Sequence, residues 1–369
     1  MRTLVVLILT CLAALAQQDS SVVHHSTFKE SDTAGWNAVG SGSILAKQGA
    51  IELSYELGVK NFAGAAWPVS VTLADTHRLR FSVKSDHDTA IAVMLMEKSP
   101  GGGHYSTWFW APANTLQQIE LAPSDFSLDI GPNDPVDADG KLDFDQLQSI
   151  VLLDTALFFG PLADRPNFPV MVSRPTGQHK LVLTGFEIIS GAIGPRPSIE
   201  TLIPIDRFDR GFSEWITLGG MKLKLSSREN PLGEPGLEAS YEQIEGQYAI
   251  LLHRLSNIDL AKAKRVSFDI ASEHDTTLVI SLELKKPGGD GPRYTATIYP
   301  PANRKIFHVN LALSDFQHDQ TQPISAPAKL DPSQLNSIAI TDISAATGGD
   351  AGPNTIWIGK LEASTEPRP

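Results

Sequence analysis

The sequence predicts an all-β protein built as two tandem domains, each of two packed antiparallel sheets. Three observations carry that reading: the chain repeats itself, its apolar residues recur at period two, and helical patterning is thin. The phrase Phe81-Ser-Val-Lys-Ser85-Asp-His87-Asp88-Thr89 returns as Phe268-Asp-Ile-Ala-Ser272-Glu-His274-Asp275-Thr276, displaced by 187 positions. Pro100-Gly-Gly returns as Pro287-Gly-Gly, Ser124-Asp-Phe126 as Ser314-Asp-Phe316, and Leu142-Asp143-x-x-Gln146-Leu147-x-Ser149-Ile150 as Leu330-Asp331-x-x-Gln334-Leu335-x-Ser337-Ile338. Phe28 answers Phe208, Trp36 answers Trp215 and Tyr55 answers Tyr241, so one unit is present twice.

Met1-Arg2 followed by the apolar run Leu4 to Ala16 has the regions of a secretory signal peptide, with cleavage expected after Ala16. The first domain is expected over 20–190. Within it Ile51-Glu-Leu53-Ser-Tyr55, Leu79-Arg-Phe81-Ser-Val83 and Ile91-Ala-Val93-Met-Leu95 alternate as half-buried strands. The Asp-His-Asp and Pro-Gly-Gly segments then read as hairpin connections. Residues 191–199, rich in Gly and Pro, read as a linker. The second domain follows over 200–364, where Leu237-Glu-Ala-Ser-Tyr241, Val266-Ser-Phe268-Asp-Ile270 and Leu278-Val-Ile-Ser-Leu282 repeat the meander, and 365–369 form a tail.

The 369 residues carry 42 acidic against 30 basic side chains, a balance that disfavours nucleic acid and anionic lipid. The single cysteine, Cys11, lies inside the leader, so neither disulfides nor thiol chemistry is expected of the mature chain. Later apolar runs are too short to insert in a membrane. Dinucleotide, P-loop, zinc-protease and G-x-S-x-G motifs are absent from the sequence. The repeated His87-Asp88 and His274-Asp275 suggest an acid-base dyad, but neighbours in an extended segment point apart; a hairpin with histidine packed or exposed beside it is the simpler reading. The acidic stretch from Asp129 to Asp145 fails as an EF-hand, because Pro135 and Gln146 stand where ligands belong.

The order of these motifs, from Phe with nearby Trp through the L-x-F strand and Gly-rich hairpin to S-D-F and L-D-x-x-Q-L-x-S-I, resembles galactose-binding-like β-sandwich domains. It is most similar to carbohydrate-binding modules of the family-11 kind and to the complex I intermediate-associated protein 30 family, and the likeness spans both repeats. The resemblance implies a jelly roll in each repeat, usually non-catalytic, that binds a glycan on a sheet face or at a sandwich edge; with the leader, the reading is a monomeric chain exported to the periplasm or the cell exterior. The resemblance also implies a structural calcium ion near the first and last strands, for which Asp206, Asp209 and Glu362 are placed in the second copy. The first copy has Lys29 where Asp209 aligns.

Aromatic residues are the candidate sugar contacts, because a flat ring matches the C–H face of a pyranose. In Tyr105-Ser-Thr-Trp108-Phe109-Trp110, comparison with Tyr294-Thr-Ala-Thr-Ile298-Tyr299 makes the Tyr105 and Phe109 face the buried one, so Trp108 and Trp110 project outward. Either a ligand meets them, or a loop or the other domain covers them; Phe158-Phe159 in the insertion from Thr155 to Pro169 is one such cover. Trp67, Trp357 and Tyr299 are further ligand candidates, whereas Trp36 and Trp215, shared by both copies, read as core. A protein-interaction or envelope-assembly role is the rival, and a polysaccharide lyase or hydrolase a third reading.

Overall fold

The computed structural model describes residues 21–58, 62–74, 77–129, 134–137, 139–158, 170, 174–191, 201–208, 214–218, 220–255, 258–285, 291–322 and 329–367. The leader, the linker beyond Gly191 and Asp209 lie outside the described residues. Among the described residues no helix is long and apolar enough to cross a membrane.

The chain is all-β, two antiparallel jelly-roll sandwiches in tandem. The first sheet runs Ser43–Lys47, Ala50–Leu57, Gly177–Ser190, His77–Ser85, Gln117–Leu121, with Val22–His25 paired to Gly177–Ser190. Facing it, the second runs Ser127–Asp129, His104–Ala111, Thr89–Glu97, Leu147–Asp154, Ala63–Pro68, Asn37–Gly40. The third sheet runs Leu202–Asp206, Leu361–Ser364, Arg265–Ser272, Gly352–Ile358, Gly236–Gln243, Lys222–Ser226, with Phe307–Ala312 on Arg265–Ser272. The fourth runs Trp215–Thr217, Ala249–Arg254, Leu335–Asp342, Leu278–Leu284, Arg293–Ile298, Gln317–His318. Strand for strand, the fourth sheet repeats the second and the third repeats the first. The exception is Gly177–Ser190, one bent strand in the first half, whose counterpart is interrupted at Gly359-Lys360.

Alternation places the cores where the sequence put them. Leu79, Phe81 and Val83 point inward while Arg78, Arg80, Ser82 and Lys84 are half-exposed, so one face of each strand is apolar. Each such fully buried Phe, Leu or Val contributes about 1.5–3 kcal/mol over its exposed state. Tyr105, Phe109, Trp36 and Phe186 meet in the first core, and Trp215, Phe268 and Tyr294 in the second. In each sandwich a tyrosine from one sheet donates to a buried aspartate from the other: Tyr55 to Asp154 at 2.6 Å and Tyr241 to Asp342 at 2.5 Å.

The outward face of the second sheet is not free. Trp110, 4% exposed, and Ala90 belong to the apolar cluster that forms the second half's core, and Trp108 packs against its edge. The Arg254 guanidinium lies 4.9 Å from the Trp108 ring centre and donates to the Ser106 carbonyl at 3.0 Å. Val170 forms a parallel bridge with Tyr248. Trp108 and Trp110 do project from their own sandwich, as strand alternation required, but the other half covers them. The reading of this pair as an open sugar platform is therefore corrected. Trp67 is corrected too: at 2% exposure it packs in the first core against Phe186 and the His24 ring.

Because Trp110 closes the junction between the halves, Trp110→Ala is expected to cost about 3 kcal/mol and to lower the thermal midpoint by roughly 6–12 °C. Differential scanning calorimetry of the full chain checks this, and an unchanged midpoint would remove Trp110 from the junction.

Candidate ligand-binding face

The outward face of the third sheet carries the one tryptophan that strand alternation turns away from its core and that no second sheet covers among the described residues. Trp357 pairs across the sheet with Glu238 on one side and Ala271 on the other, and Glu238 pairs with Lys224. All four side chains therefore share the outer surface in one row. The Trp357 indole Nε1 donates to Glu238 Oε2 at 3.1 Å, and Lys224 Nζ sits 2.9 Å from Glu238 Oε1. One row along the strands, the Ser240 and Thr355 hydroxyls are 3.2 Å apart. On the other side of Trp357, Asp269 is bonded to the exposed His308 at 2.6 Å. The result is a flat ring bordered by carboxylates, hydroxyls and cations.

A guanidinium covers the ring. Arg304 Cζ stands 5.1 Å over the Trp357 centroid, and its Nη2 pairs with Glu273. Asn303 and Arg304 are both in the left-handed region, φ 65° and 57°, which costs a non-glycine residue about 1–2 kcal/mol. The turn is held by Asn303 N donating to Glu273 O and Arg304 N to Ser272 O. In the first half the shared Pro-Ala-Asn puts Asn114, φ 57°, at the Asn303 position, and its N donates to Ser85 O. Asparagine tolerates that conformation; Arg304, the residue after Asn303, adopts it too, where the first half has Thr115. The Arg304 side chain is 59% exposed, so Trp357, itself 5% exposed, is shielded by a group that can swing into water.

Val182 occupies the Trp357 position of the first half, paired with Glu52, and the same outer surface there holds Lys84, Lys180 and Glu52 without an aromatic ring. The second half alone combines ring and cover. Tyr299, 67% exposed, follows the end of strand Arg293–Ile298 on a different sheet and does not join the Trp357 row. Sequence reasoning found Trp357 as an outward residue; it missed Arg304, whose signal was an arginine directly after the Pro-Ala-Asn that both copies share, where the first has Thr115.

Of the three residues expected to hold calcium, the two described, Asp206 and Glu362, have protein partners. Glu362 pairs with Arg207 at 3.5 Å. Asp206 accepts from Trp215 Nε1 at 2.6 Å and from the Phe208 amide at 2.7 Å. His253, fully buried where the first half has Trp67, places Nε2 3.2 Å from Glu214 and 3.6 Å from Asp206. These three could hold a metal, but two carboxylates and an imidazole are not the all-oxygen set that calcium prefers. A calcium ion at this edge, where the sequence expected one, would compete with His253 for Asp206. A second group, Asp86, His87 and His179, also brings its ligand atoms within 4.8 Å of one another. The acidic stretch beyond Asp129 spends its carboxylates locally: Asp137 accepts from Tyr105 OH and from the amides of Asp139 and Gly140, and Asp129 accepts from Ser106.

Burial alone would lower the His253 pKa, but Asp206 and Glu214 outweigh it and raise it to about 9. The folded value exceeds the unfolded 6.5, so this pairing stabilises fully below pH 6.5 and is lost as pH rises through about 9. Between those limits the melting midpoint of the native protein is expected to fall more steeply with pH than that of His253→Gln. Parallel pH profiles for the two proteins would contradict the assignment.

No family model and no curated protein matches the sequence. Solved structures do. The family 11 carbohydrate-binding module from Clostridium thermocellum, in complex with a beta-1,3-1,4-mixed-linked tetrasaccharide, is 19% identical, with 46% of this chain and 98% of that one covered at TM-score 0.36. The N-terminal CBM22 tandem domain from Paenibacillus barcinonensis is 13% identical over 95% of this chain and 99% of its own, TM-score 0.30. A family 30 carbohydrate-binding module of a Clostridium thermocellum cellulosomal cellulase is 17% identical over 45% of this chain and 99% of its own, TM-score 0.32.

Proposed function

We propose that this is an exported, non-catalytic protein that binds a polysaccharide or glycoconjugate on the outward face of its third sheet. The observation that carries the reading is Trp357, an indole on a sheet surface with Glu238, Lys224, Ser240, Thr355, Asp269 and His308 around it. A pyranose laid on the ring offers its C–H face to the indole and its hydroxyls to those polar groups. Arg304 must first move off. An exposed ion pair such as Arg304–Glu273 is worth about 0–1 kcal/mol and an exposed cation–π contact about 0.5–1 kcal/mol, so uncovering costs little beside a stacked sugar. The charged groups in the row are already paired with one another, which suits neutral hydroxyl recognition better than acid-base attack on a glycosidic bond. Export rests on the leader read in Met1 to Ala16.

A second reading, contact with a protein, is supported by Met94 and Met96, which lie half-buried on the outward face of the second sheet beside the covered Ala92, Val151 and Leu153. Affinity electrophoresis of the full chain through gels containing a panel of polysaccharides separates the two. Glycan binding predicts retardation by at least one polysaccharide and at least tenfold weaker affinity in Trp357→Ala, about 1.4 kcal/mol, with an unchanged circular dichroism spectrum. Retardation that Trp357→Ala leaves intact would count against the site, and no retardation by any glycan against the function.

A further inference from the structure

The turn that both halves share has become chemically different in the first half. Asp86 and His87 lie between strands His77–Ser85 and Thr89–Glu97, and His179 lies on the adjoining strand Gly177–Ser190. The turn is locked to that strand: Asp86 N donates to Lys180 O at 3.2 Å and Lys180 N to Asp86 Oδ2 at 2.9 Å. The two imidazole rings are 4.2 Å apart, and both Nδ1 atoms converge on one oxygen, Asp86 Oδ1, at 2.8 Å from His87 and 3.0 Å from His179.

The opposite nitrogens also face oxygens. His87 Nε2 is 2.9 Å from Asp154 Oδ2, and His179 Nε2 is 3.3 Å from the Thr176 carbonyl. Asp154 is itself fixed by Tyr55 OH and Thr89 Oγ1, each at 2.6 Å, and by the Ala156 amide at 2.8 Å. Four ring nitrogens thus meet oxygen acceptors, while two neutral imidazoles bring only two N–H groups. Two lone pairs therefore face oxygen; with both N–H groups on Nε2 they both face Asp86 Oδ1, a repulsive arrangement that a cation at the Nδ1–Oδ1–Nδ1 junction converts into three ligand bonds. The Nε2–H groups would then donate to Asp154 and to Thr176, the outer partners that orient metal-bound histidines.

We propose that the first sandwich binds a divalent first-row transition metal of the zinc class through His87 Nδ1, His179 Nδ1 and an Asp86 carboxylate oxygen. Two imidazoles and one carboxylate select zinc over calcium or magnesium. Asp86 is exposed and both rings are half-buried, so the remaining coordination position opens to solvent and can take water or a ligand group. The second half keeps the turn and lacks the ligands. There His274 is exposed, Glu273 pairs with Arg304, and the residue matching His179 is Asn354, whose amide donates to Tyr241 OH at 3.2 Å.

Isothermal titration of the full chain with zinc chloride at pH 7.5 tests the proposal, with calcium chloride as comparison. One zinc site is expected that calcium does not occupy, weakened at least tenfold in His179→Asn and in Asp86→Asn. Thermal midpoints of the metal-free variants show that they fold, and cobalt loading gives visible d–d bands that His179→Asn abolishes. Absence of saturable zinc binding overturns the proposal. So does binding that survives both substitutions, or that vanishes instead with replacement of His24 and His25 or of His253.

Discussion

A buried tyrosine–aspartate hydrogen bond between facing sheets is the constraint around which each half is arranged. Asp154 and Asp342 sit at the ends of corresponding strands, away from water, and an unpaired carboxylate there would cost several kcal/mol. Every neighbour must therefore present a donor. Tyr55, Thr89 and the Ala156 amide do so in the first half; Tyr241, Gln243 and the Ser344 amide do so in the second. The carboxylate and the tyrosine are fixed by this demand, while the residues completing the shell can change. In the first half His87 lies against Asp154, whereas in the second Gln243 donates to Asp342 and Asn354, at the His179 position, donates to Tyr241; only the first leaves a pair of imidazoles at the surface.

The duplicated sandwich also divides its outer surfaces by use. The second sheet of the first half gives up its outward tryptophans to the junction, where Trp110 joins the second core and Trp108 lies under Arg254. That leaves the third sheet of the second half as the surface with an aromatic floor. Two features set it apart from its first-half equivalent: tryptophan in place of valine at 357, read against the matching register, and Arg304 after the shared Pro-Ala-Asn, where the first half has Thr115. They act together, since the guanidinium covers the ring that the indole supplies.

Much of this architecture was legible in the sequence because local periodicity and repetition are local properties. The strand alternation around Phe81 and Phe268, the core status of Trp36 and Trp215, and the outward direction of Trp108, Trp110 and Trp357 all follow from period two and from comparing copies. What period two does not contain is the neighbour across a junction. Trp110 looked free because its cover comes from strands more than a hundred positions away, and Trp67 looked free because the second copy does not share it, although His253, which stands in its place, is buried too, paired with Asp206 and Glu214. The His87–His179 pairing was hidden for the same reason: 92 residues separate the rings, and only the register of strand Gly177–Ser190 against His77–Ser85 brings them together.

The claim that matters most is that ligand recognition belongs to the Trp357 face and not to the other tryptophans. Indole N–H resonances report on each ring separately, so a titration of the 15N-labelled protein with the oligosaccharide of a retained polysaccharide measures it directly. The account predicts that the Trp357 indole signal shifts saturably while those of Trp108 and Trp110 stay in place. Saturable shifts at Trp108 or Trp110 with Trp357 unmoved would contradict it.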